Sequence, residues 1–171
     1  MAERPSILSL SPVLRHARGQ DDLAACFPVI SQLRPKLKDA AEWVERASGM
    51  ATYGYRVLAA WEDDRVVALA GYRMMENLIH GHFLYVDDLV TSAEQRGRGL
   101  GAALLQELSL VGVDEYCHRL VLDTAAANAN ARRFYKREGL IDSVIGFVKP
   151  LNRASPRDHR DDRTVDGRTS S

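Results

Sequence analysis

Glycine alternates with arginine over Gln95-Arg96-Gly97-Arg98-Gly99-Leu100-Gly101-Ala102, directly before an apolar helical repeat. This stretch limits the chain more than any other. A side chain at a glycine position would push the backbone away from whatever sits above it. The first N–H groups of a helix, backed by the helix dipole, form an anion site. Arg96 and Arg98 add positive charge. The physical reading is a loop that holds a pyrophosphate through backbone donors between Arg96 and Ala102.

Other loops bind phosphates, and they fit less well. A Walker A loop needs Gly-Lys-Ser/Thr before its helix, whereas Gly101-Ala102-Ala103 stands here. A Rossmann fingerprint needs Gly-x-Gly-x-x-Gly, but Gly97, Gly99 and Gly101 alternate strictly. The Rossmann reading keeps some support. A strand precedes the loop, a helix follows, and the next strand ends at Asp123, about where a ribose-binding acid would sit. A plain glycine turn that binds nothing is the remaining alternative.

At 171 residues the chain suits one domain with a real core. Lys plus Arg equals Asp plus Glu, 23 each, so bulk charge gives no reason to expect nucleic-acid binding. No apolar run is long enough to span a bilayer, so no membrane partner is expected. Met1-Ala2-Glu3-Arg4-Pro5 is followed by no continuous apolar core of a signal peptide. Cys26 and Cys117 both lie in apolar surroundings and read as reduced core residues of a cytoplasmic protein. No metal site is expected.

Periodicity gives an element order. Leu8 to Ala17 reads as a strand. Asp21 or Asp22 can cap a helix carrying Leu23, Phe27 and Ile30, with Pro28 calling for a kink or a late start. Asp39 to Met50 reads as a second helix with Trp43 and Val44 inward. Tyr55 to Trp61 and Arg65 to Arg73 form a hairpin across Glu62-Asp63-Asp64. His82 to Val90 is the next strand. Gly99 to Val111 is an amphipathic helix with Leu100, Leu104, Leu108 and Val111 on one face. Arg119 to Thr124 reads as a central, buried strand. Asn128 to Glu138 is the last helix, stopped by Gly139, and Ile141 to Leu151 a final strand or strand pair. Asn152 to Ser171 is nearly devoid of apolar residues and reads as a disordered tail. The fold class is therefore α/β, a mixed sheet flanked by helices in one domain over 1–151. The N-terminal meander weighs against Rossmann.

Two motifs at this spacing resemble the GNAT superfamily of N-acetyltransferases. The superfamily's acetyl-CoA motif, Arg/Gln-x-x-Gly-x-Gly/Ala, is matched by Arg96, Gly99 and Gly101. A later motif, Asn-x-x-Ala-x-x-Phe/Tyr-Tyr followed by Gly-Phe, is matched by Asn128, Ala131, Phe134, Tyr135 and Gly139, with Leu140 in place of Phe. The resemblance covers roughly Gln20 to Leu151. It implies transfer of an acetyl group from acetyl-CoA to a primary amine by direct attack, in the same mixed-sheet fold.

Such a transfer needs the pyrophosphate held, the acetyl carbonyl polarised, the amine deprotonated and the thiolate protonated. Gly97, Gly99, Leu100, Gly101 and Ala102, with Arg96 and Arg98, answer the first need. By resemblance, backbone groups of Leu89, Val90 and Thr91 hold the pantetheine arm and the acetyl oxygen, and Asn128 lies beside the pantetheine. Asn128 also reads as a helix N-cap. Tyr135 is the candidate general acid, since a tyrosine titrates near about 10, as a thiol leaving group requires. Asp87 and Asp88 alternate across a strand, so one at most points into the cleft. Either one can act as a base only through water, or else hold a cationic substrate. Glu76, His80 and His82 lie near the neighbouring turn.

The acceptor is expected to be a small amine or a protein amine. A homodimer through the final strands is expected by resemblance only. Two further functions compete: a non-catalytic acyl-CoA-binding module, and an NAD-dependent oxidoreductase, which explains Asp123 but not the motif from Asn128 to Gly139.

Overall fold

The structure is a computed structural model and describes residues 11–151. The elements run β1 (Val13–His16), α1 (Gly19–Leu33), α2 (Ala40–Ala51), β2 (Arg56–Glu62), β3 (Arg65–Asn77), β4 (Gly81–Thr91), α3 (Leu100–Asp114), β5 (Leu120–Leu122) and α4 (Ala129–Arg137). The strands form one sheet in sequence order; neighbours from β1 to β4 are antiparallel, and β4 pairs with β5 in parallel. This is the expected α/β mixed sheet. The described sheet holds one βαβ unit, β4–α3–β5, beside an antiparallel meander, whereas a Rossmann fold needs two βαβαβ halves.

Strand alternation sorts the core to the two faces of the sheet. Val57, Ala59 and Trp61 of β2 pack with Ile30 of α1 and Trp43 of α2. Leu58 and Ala60 point the other way, into a cluster with Leu100, Leu104 and Leu108 of α3. Both faces are covered, which is why Val66 to Tyr72 is one continuous buried run.

The α2 start is a reciprocal cap. Asp39 accepts the Glu42 N–H at 2.8 Å, and Glu42 accepts the Lys38 N–H at 2.7 Å. The cap of α1 falls on Arg18, one turn ahead of the expected Asp21 or Asp22. Asp22 serves from inside the helix, accepting the Arg18 N–H at 2.8 Å. Pro28 imposes no late start: α1 runs through it to Leu33, with Cys26, Val29 and Ile30 buried. The Trp43 indole N–H donates to the Leu23 carbonyl at 2.7 Å and ties α2 to α1.

Two expectations fail. The strand β5 lies at the end of the sheet and is half-buried, where a central, buried strand was expected; among the described residues it pairs with β4 alone. Ile141–Leu151 carries no strand. Its apolar residues do not alternate, and Gly146 and Pro150 interrupt the run, both of which weaken a ladder. The compact unit that holds the sheet ends at Leu140. The N-terminal part of the first expected strand and the tail Asn152 to Ser171 lie outside the described residues.

Candidate active site

The glycine loop enters α3 with two left-handed residues, Gly97 at φ 80° and Gly99 at φ 76°. Only glycine adopts that region at no steric cost. Gly99 is the N-cap of α3, and the first bond inside the helix runs from Ala103 N–H to Gly99 O at 3.0 Å. The N–H groups of Leu100, Gly101 and Ala102 therefore have no partner within the helix. No atom lies within 4 Å of where a Cβ would stand at Gly97 or Gly99. Donors, dipole and open space fit a pyrophosphate.

Gly101 serves a different purpose. A Cβ there would stand 3.2 Å from Phe134 Cζ, so Gly101 lets α4 approach α3. Arg98 donates to Glu62 of β2 at 2.6 Å and to Gln95. Arg96 is exposed and makes no ion pair among the described residues.

Strand β4 departs from regularity in two places. Its register against β3 steps from Tyr72↔Val86 to Gly71↔Asp88, which leaves Asp87 as an extra, bulged residue. Its parallel ladder to β5 covers only Leu84, Tyr85 and Val86. From Asp87 to Thr91 the strand pairs with β3 alone. Along the edge that faced β5, every second N–H and C=O lacks a strand partner. The ladder to β5 therefore stops short of Leu89, Val90 and Thr91.

The bulge also changes what the aspartates face. A regular strand would send Asp87 and Asp88 to opposite sides, whereas both line one cavity of about 940 Å³. Asp87 receives a two-pronged ion pair from Arg73, Nε at 2.9 Å and Nη2 at 2.7 Å. Asp88 is buried; its Oδ1 accepts from Arg34 Nε at 2.7 Å and its Oδ2 from the Tyr55 hydroxyl at 2.8 Å. Burial, and then the Asp88 carboxylate, push the Tyr55 hydroxyl far above its usual range. Arg34 also donates to the Asp87 carbonyl at 3.0 Å, pinning the bulge to the loop after α1. Asp88→Ala would strand the buried Tyr55 hydroxyl. A stability loss of about 1–3 kcal/mol follows, read by urea denaturation; an unchanged midpoint would mean that the network carries no stability.

The cavity wall opposite β4 comes from the α1–α2 loop, α2 and the turn after it, through Leu37, Trp43, Met50 and Tyr53. Tyr85 closes it from β4 and donates to Asp123 at 2.7 Å. Burial, with the Asp123 carboxylate, pushes the Tyr85 hydroxyl up to about 12. Asp123, the ribose candidate of the Rossmann reading, is thus engaged by a tyrosine.

Asn128 caps α4, accepting the Ala131 N–H at 3.0 Å through Oδ1. Phe134 faces Gly101, and Tyr135 is half-buried one position on, as helical spacing requires. Burial raises the Tyr135 hydroxyl above its ordinary value. Glu76, His80 and His82 stay on the β3–β4 hairpin and do not line the cavity; Glu76 is paired in register with His82, and His80 meets Phe83 edge-to-face with centroids 5.1 Å apart.

By resemblance Arg34 to Tyr53 is a substrate loop, and much of the cavity lining comes from it, but sequence reasoning gave no individual role to Arg34, Tyr55, Arg73 or Tyr85. Arg34 meets Asp88 across 54 residues, and no local spacing signals that pairing. A basic residue just before the helix-ending Pro35 was the one available sign.

An early end to the β4–β5 ladder beside a glycine-capped helix start, with Asn128 and Tyr135 on the last helix, is the arrangement that the GNAT resemblance implies. The sequence pattern of the acetyltransferase (GNAT) family matches residues 18–140, and the chain belongs to that family. It is 27% identical over 141 residues to YhdJ, an uncharacterized N-acetyltransferase of Bacillus subtilis (strain 168), covering 81% of this chain and 98% of the relative. Its fold is similar to glucosamine-6-phosphate N-acetyltransferase of Arabidopsis thaliana, with TM-score 0.68, 17% identity and coverage of 84% and 100%. It is also similar to the aminoglycoside N-acetyltransferase AAC(6')-Iy in complex with CoA, with TM-score 0.71, 13% identity and coverage of 86% and 100%. No group of His, Cys, Asp and Glu fit to hold a metal occurs among the described residues, nor a helix long and apolar enough to cross a membrane.

Proposed function

We propose that this protein transfers the acetyl group of acetyl-CoA to a primary amine by direct attack. The observation that carries the reading is the end of the β4–β5 ladder at Val86, on the strand that leads into the glycine-capped start of α3. Backbone donors of Leu100, Gly101 and Ala102 take the pyrophosphate. Unpaired backbone groups of Leu89, Val90 and Thr91 hold the pantetheine arm and polarise the acetyl carbonyl, and the Asn128 amide joins them.

The amine enters through the cavity over β4. Asp87 is the more open of the two carboxylates, and it receives the amine proton through water, since a carboxylate is too weak to remove it directly. Asp88, the more buried, holds Arg34 and Tyr55 in place. The N–C bond forms, the C–S bond breaks, and Tyr135 gives its proton to the departing thiolate. Tyr135 then recovers a proton from solvent. The free thiols of Cys26 and Cys117 accord with a reducing, cytoplasmic setting.

The test is thiol release from acetyl-CoA against an amine library. Release that depends on one class of amine supports transfer. Tight acetyl-CoA binding with no release against any amine would leave a non-catalytic acyl-CoA-binding module.

A further inference from the structure

The acidic pair beside the bulge favours a cationic acceptor when read alone, but its surroundings reverse that reading. Asp87 is matched by Arg73, and Asp88 by Arg34. Arg46, also on the cavity wall, is matched by Glu42 at 2.6 Å. Lys36 lines the same cavity and makes no ion pair among the described residues. The wall thus carries three cations against two carboxylates, and Lys36 is the uncompensated charge. The rest of the wall is apolar and aromatic, with Leu37, Trp43, Met50, Tyr53 and Tyr85 prominent. A polyamine or an aminoglycoside would bring several charges into a cavity with no spare carboxylate, and each would lose water without a partner.

We infer that the acceptor is an amine on an apolar or aromatic body that also carries one anionic group, which pairs with Lys36. The volume of about 940 Å³ holds such a molecule with room beyond a single aromatic side chain. Amino acids with large apolar side chains, and the short peptides that begin with them, have this chemistry. The inference rests on the acetyltransferase reading and narrows it.

Three probes separate the possibilities: L-phenylalanine, phenethylamine (the same body without the carboxylate) and spermidine. Acetylation is read as thiol release, and binding to the CoA-loaded protein as quenching of tryptophan fluorescence, since Trp43 lines the cavity. The expected order is phenylalanine, then phenethylamine, then spermidine, with about tenfold between the first and the last, worth roughly 1.4 kcal/mol. Lys36→Met, in an exposed loop, should abolish most of the preference for phenylalanine over phenethylamine. Spermidine bound or acetylated as well as phenylalanine overturns the inference. So does a Lys36→Met protein with an unchanged preference, or an absence of binding by both aromatic probes while acetyl-CoA still raises Tm. If acetyl-CoA itself does not raise Tm, the acetyltransferase reading fails and the inference falls with it.

Discussion

Tyr135→Phe is expected to lower kcat by roughly 100- to 10,000-fold while acetyl-CoA affinity stays nearly unchanged, the range general acids supply. The substitution keeps the ring, and so keeps the half-buried packing beside Phe134, with ring centroids 5.3 Å apart. It removes only the proton that the thiolate takes. Burial raises the Tyr135 hydroxyl. A raised acid stays protonated as pH climbs, so kcat should not fall on account of Tyr135 until pH passes the ordinary tyrosine value near about 10. A tyrosine that merely packs would lose less than about tenfold, and would lose binding and turnover together. Full turnover in Tyr135→Phe would assign the proton to water or to another group.

Gly99→Val is expected to weaken acetyl-CoA binding at least about 100-fold, some 2.7 kcal/mol, in a protein that still folds. Two effects add. At φ 76° a β-branched residue is strained. Its side chain would also fill the open space over the loop, where nothing else stands within 4 Å. The same change at Gly101 works differently: the new side chain meets Phe134, so it moves α4 and with it Tyr135. Gly101→Val should therefore lower kcat as well as affinity, whereas Gly99→Val acts on affinity first. Calorimetric titration of both variants reads the difference. Unchanged affinity in Gly99→Val would reduce the loop to a structural turn.

Local chemistry was legible in the sequence. Glycines that must bend left, an asparagine that caps, a helix with leucines on one face and a hairpin across Glu62-Asp63-Asp64 all depend on neighbours a few residues away. The Asp39 start of α2 and the Gly139 stop of α4 belong to the same class. Long-range pairings were not legible. The bulge at Asp87 turns two alternating aspartates toward one cavity, and its cause is the register of β3 against β4. Arg34, Arg73 and Tyr55 settle the charge of that cavity from distant parts of the chain. The ion pair of Arg98 with Glu62 of β2 was hidden for the same reason, since 36 residues separate the two. The strand or strand pair expected over 141–151 depends on pairing at a distance, and Gly146 and Pro150 are the local signs against it.

The most direct test of the account is ligand-dependent thermal stability. Acetyl-CoA or CoA at 100 times its Kd should stabilise the protein by about 2.7 kcal/mol and raise Tm accordingly, while NADH leaves Tm unchanged. A rise with NADH and none with acetyl-CoA or CoA would contradict the pyrophosphate site assigned to the glycine loop and the transfer chemistry built on it.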